Sequence, residues 1–72
     1  METEKKIEIA ERLIAVLGKG KMWTKGNVVR IYLQGWATII DENTVDINYV
    51  KRADFMAVKA ACAKLNLKAT RL

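Results

Sequence analysis

The chain of 72 residues contains no histidine, no serine and a single cysteine. Each absence removes a chemistry. Without His or Ser, neither a Ser-His nor a Cys-His nucleophile pair can be built, so hydrolysis by a triad is excluded. The lone thiol, Cys62, closes no internal disulfide, and without imidazole beside it no closed zinc site can be assembled. Two half-length domains would need such staples, so residues 1–72 are read as one small domain folded by apolar packing. Long apolar runs are missing too. IAVL and WATII are far short of the roughly 18 residues that span a membrane, and the charged opening METEKK precedes no apolar core, so no signal peptide is expected. The expectation is a cytoplasmic protein without membrane association, a compartment that suits one reduced thiol.

What is present is 51% hydrophobic and 29% charged, a globular balance rather than a disordered one. A core of this size contributes only a few kcal/mol, so self-association as a homodimer is expected to supplement it. The net charge of +5 is segregated: residues 1–18 sum to −1, 19–30 to +4, 31–50 to −3 and 51–72 to +5. Two basic blocks of this kind suit an anionic partner, although charge alone also serves solubility.

Ile7, Ala10, Leu13, Ile14 and Leu17 recur at the spacing of one helical face, which predicts a helix over 4–17 with Thr3 as its cap and Gly18 and Gly20 beyond its end. A second helix is expected from Arg52 or Asp54 to about Leu65, with Phe55, Val58, Cys62 and Leu65 on one stripe, an alanine-rich back and Asn66 as its stop. Between them the period falls to two. Strands are predicted at 21–24, 27–33, 36–41 and 44–50, joined by two-residue turns at Lys25-Gly26, Gln34-Gly35 and Glu42-Asn43.

Those turns pair Thr24 with Asn27, Leu33 with Trp36 and Asp41 with Thr44. One face then collects Met22, Val29, Ile31, Leu33, Trp36, Thr38, Ile40, Val45, Ile47 and Tyr49 as core. The other holds Lys21, Trp23, Val28, Arg30, Tyr32, Ala37, Ile39 and the acids Asp41 and Asp46. Two helices at about 10 Å each cover four strands at about 4.8 Å each. The expected fold is an α+β two-layer sandwich, α-β-β-β-β-α, whose four-stranded antiparallel meander carries both helices on one face and leaves the other uncovered.

No arrangement of residues dictates a reaction. Asp41, Glu42 and Asp46 near one hairpin read best as a solvated turn rather than a carboxylate pair or cation site. The glycines of GKGKMWTKG lead into a strand, where a phosphate loop needs a helix amino terminus, and Cys62 falls on a buried stripe. No enzyme activity and no cofactor are expected. Binding remains, and the uncovered face is its seat. In the expected register Lys21 faces Arg30, and an anion would offset that repulsion. Lys19, Lys21, Lys25 and Arg30 would meet phosphates of DNA or RNA while Trp23 and Tyr32 stack on bases. The competing local explanation is an Arg30–Asp41 salt bridge with Trp23 folded over Val28. The alternative function is a protein-binding inhibitor or adaptor of the phage or mobile-element type, acting on a partner protein or a nucleic-acid-handling complex through the same Trp, Tyr and Arg residues.

Overall fold

The computed structural model describes residues 2–48 and 51–71. The elements run α1 (Glu2–Leu17), β1 (Lys21–Lys25), β2 (Val28–Tyr32), β3 (Trp36–Ile39), β4 (Thr44–Asn48), α2 (Arg52–Lys64) and β5 (Lys68–Arg71). They form an α+β fold with two helices and one five-stranded sheet of order β1-β2-β3-β4-β5. β1 to β4 are antiparallel neighbours, as the alternation predicts, but β5 joins β4 in parallel, so the sheet is mixed and the four-stranded meander is corrected to five strands. A parallel neighbour requires a crossover, and α2 supplies it. Asn66, at φ 58°, turns the chain out of the helix, Leu67 donates to the Cys62 carbonyl at 2.8 Å, and Lys68 donates to the Asn43 carbonyl at 2.6 Å.

Ala10 and Leu13 of α1, Val58, Ala61 and Cys62 of α2, and Val29, Ile31, Ala37, Ile39, Val45 and Ile47 of the sheet are buried in one cluster. α1 packs mainly on β2, α2 touches β4 and β5, and the two helices touch each other. Thr3 does not cap α1. It lies within the helix, and its hydroxyl donates to Asn27 Oδ1 at 2.8 Å.

The hairpins depart from the expected register, each at its turn. The first loop is Gly26-Asn27, with Gly26 leading at φ 57°, so Lys25 pairs with Val28 and Trp23 with Arg30. A positive φ at the first central position alone is the II′ pattern, which favours Gly there. This slip of two keeps each side chain on its expected face. The next two loops each hold one residue more than expected. Leu33-Gln34-Gly35 pairs Tyr32 with Trp36, and Asp41-Glu42-Asn43, closed by Ile40 N–H on the Thr44 carbonyl at 2.9 Å, pairs Ile39 with Val45. The two slips of one offset each other, so β4 keeps Val45 and Ile47 in the core while β3 alone is inverted. Ala37 and Ile39 are buried, Trp36 and Thr38 are half-buried on the other face, and Ile40 is exposed. Leu33 is half-buried in its loop, and the expected core residue Tyr49 lies outside the described residues.

Candidate binding face

The second sheet face is built from alternate residues. Lys21, Trp23 and Lys25 come from β1, Val28, Arg30 and Tyr32 from β2, Trp36 and Thr38 from β3, Asp46 and Asn48 from β4, and Thr70 from β5. At its centre the Arg30 guanidinium lies over two indoles, 5.5 Å from the Trp23 centroid and 5.4 Å from that of Trp36. Tyr32 completes the cluster, edge-on to Trp23 and tilted against Trp36, at 6.1 Å from each. The alternation that lifts Trp23, Arg30 and Tyr32 to one side of the sheet is thus legible from sequence, and the inversion of β3 adds Trp36. A Gly closing a three-residue loop was the signal that could have found it.

Lys21 does not oppose Arg30. It faces Tyr32, so the like-charge pair that suggested an anion is absent, and Arg30 is stabilised by ring faces instead. Nor does Arg30 bridge to Asp41. Among the described residues it forms no ion pair, and its buried Nε has no hydrogen-bond partner. Asp41 instead accepts the Asn43 N–H at 2.7 Å, which holds its carboxyl below the usual range. Glu42 lies 3.8 Å from Lys5, and Asp46, 7% exposed, accepts the Thr70 hydroxyl at 3.0 Å. The three acids therefore have separate partners, and among the described residues no three or more His, Cys, Asp or Glu side chains cluster as metal ligands.

Of the six residues expected to bind, Trp23, Arg30 and Tyr32 come together, with Lys21 and Lys25 exposed along the edge strand beside them. Lys19, before β1, is outside the aromatic cluster but adjoins Lys21 and Tyr32, with its Nζ 2.8 Å from Asp54 Oδ1 in the first turn of α2. No described helix is long and apolar enough to cross a membrane. No protein family, no curated protein and no solved structure matches the chain.

Proposed function

We propose that the protein is a small nucleic-acid-binding module, non-enzymatic, with both helices over one sheet face and DNA or RNA taken on the other. The observation that carries this reading is Arg30, fixed between Trp23 and Trp36 with no carboxylate partner among the described residues. Stacking pre-orients the guanidinium fork, and a phosphate matches that fork in charge and geometry. Trp23 and Tyr32 offer ring surface to bases, while Lys21 and Lys25 add charge along the same edge.

Fluorescence anisotropy with labelled oligonucleotides across a salt series tests it. Affinity is expected to fall with salt at a logarithmic slope of about 0.7–0.9 per phosphate contact. Trp23→Ala and Tyr32→Ala leave net charge unchanged and should each cost about 1–3 kcal/mol of binding if bases stack there. If both variants bind as well as the parent, with circular dichroism intact, and the parent itself binds only weakly at physiological salt, the basic blocks act nonspecifically and a protein partner replaces the nucleic acid. The exposed Trp23 and Val28, at 38% and 39%, support that second reading.

A further inference from the structure

Beside the aromatic cluster a cleft of about 700 Å³ opens between the start of β1, the β2–β3 loop and the start of α2. Lys19, Lys21, Lys51, Tyr32, Gln34 and Asp54 line it. Three ammonium groups there meet one carboxylate, and Asp54 is already engaged by Lys19 at 2.8 Å. Lys21 and Lys51 have no acidic partner among the described residues. Tyr32 belongs to both places: it lines the cleft and contacts Trp23 and Trp36. A ligand lying on the rings therefore reaches the cleft without leaving the protein surface.

Resting on the binding reading above, we infer that the ligand is a single strand and that one of its phosphates sits in this cleft, held by Lys21 and Lys51. An unpaired strand can turn its bases onto Trp23 and Tyr32 while its backbone runs over Tyr32 into the cleft. A duplex keeps its bases stacked inside and cannot do both. Charge complementarity fixes the phosphate end of that path, because the cleft carries more cations than acids while the middle of the face carries Arg30 alone.

Lys51 gives a clean probe, since its side chain makes no cap hydrogen bond to α2 and truncating it takes no such bond from the helix start. Salt-series anisotropy is measured for the parent, Lys51→Ala, Lys21→Ala and the control Lys64→Ala, with a single-stranded oligonucleotide and with its duplex. Lys64 lies beside the groove between the helices, away from the cleft. The single strand should bind the parent more tightly than the duplex. Lys51→Ala and Lys21→Ala should each lower the slope by about 0.7, with Lys64→Ala unchanged. Equal slopes for Lys51→Ala and Lys64→Ala, while Trp23→Ala still loses binding, overturn the cleft and spare the face. Duplex binding as tight as single-strand binding overturns the strand assignment. Full binding by Trp23→Ala and Tyr32→Ala removes the underlying reading itself.

Discussion

Arg30 shows how a single residue is balanced. Its buried, unpartnered Nε costs about 1–3 kcal/mol, and two cation–π contacts return about 0.5–2 kcal/mol each, so the stacking offsets the orphaned donor without any ligand. The fold therefore tolerates Arg30 as it stands. Arg30→Lys keeps the charge but loses the fork and its stacking, so it should weaken oligonucleotide binding nearly as much as Arg30→Ala; full rescue by Lys, measured by anisotropy, would reduce Arg30 to one more positive charge. Cys62 is the opposite case. Burial pushes its thiol up to about 11, so at pH 8 it is a neutral, enclosed group. Iodoacetamide at that pH should alkylate it rapidly in denaturant and negligibly in the folded protein. The stability linked to this group is complete below about pH 9, where the unfolded thiol is still protonated, and is lost as pH rises toward 11. Cys62→Ala should show a smaller loss than the parent over that window in chemical denaturation.

At the scale of elements, what the sequence exposes depends on how unequal the two faces of each element are. α1 is legible because Ala10 and Leu13 are buried and Glu8, Glu11 and Arg12 are exposed. β2 and β4 are legible for the same reason. β3 is not: Trp36, Thr38 and Ile40 on one side are as apolar as Ala37 and Ile39 on the other, so pattern cannot choose and loop length decides. β5 is illegible for another reason, since Lys-Ala-Thr-Arg has one β-branched residue and is a strand only because α2 returns it beside β4. The face itself was readable through β1 and β2, whereas Trp36 and the cleft depend on loops. The inversion is testable with adjacent isoleucines. Ile39→Ala, at a position 1% exposed, should cost about 2–5 kcal/mol, and Ile40→Ala, at 45%, should change denaturation by at most about 0.5 kcal/mol. The reverse order would restore the two-residue turns.

Across the whole molecule, cations gather around the cleft and the aromatic face, which carry Lys19, Lys21, Lys25, Arg30 and Lys51, whereas on α1 Glu4, Glu8 and Glu11 are matched by Lys5, Lys6 and Arg12. Both sheet edges, β1 and β5, also bear cations, Lys21 and Lys25 on one and Lys68 and Arg71 on the other, which opposes edge-to-edge pairing of two copies. Yet stability of about 0.05–0.15 kcal/mol per residue leaves a 72-residue core little reserve, and association would add to it. One candidate surface for a second copy is the shallow groove lined by Val16, 41% exposed, with Ala57 and Ala60. We expect a dimer at micromolar concentration through this groove, with the thermal midpoint rising with protein concentration. Sedimentation over a hundredfold dilution checks the expectation, and Ala60→Arg should shift the species to the monomer while leaving oligonucleotide affinity intact. If Trp23→Ala, rather than Ala60→Arg, dissolves the dimer, the aromatic face is the self-association surface, and nucleic acid should then compete with the second copy. A monomer at every dilution would mean that the single buried cluster holds the fold alone.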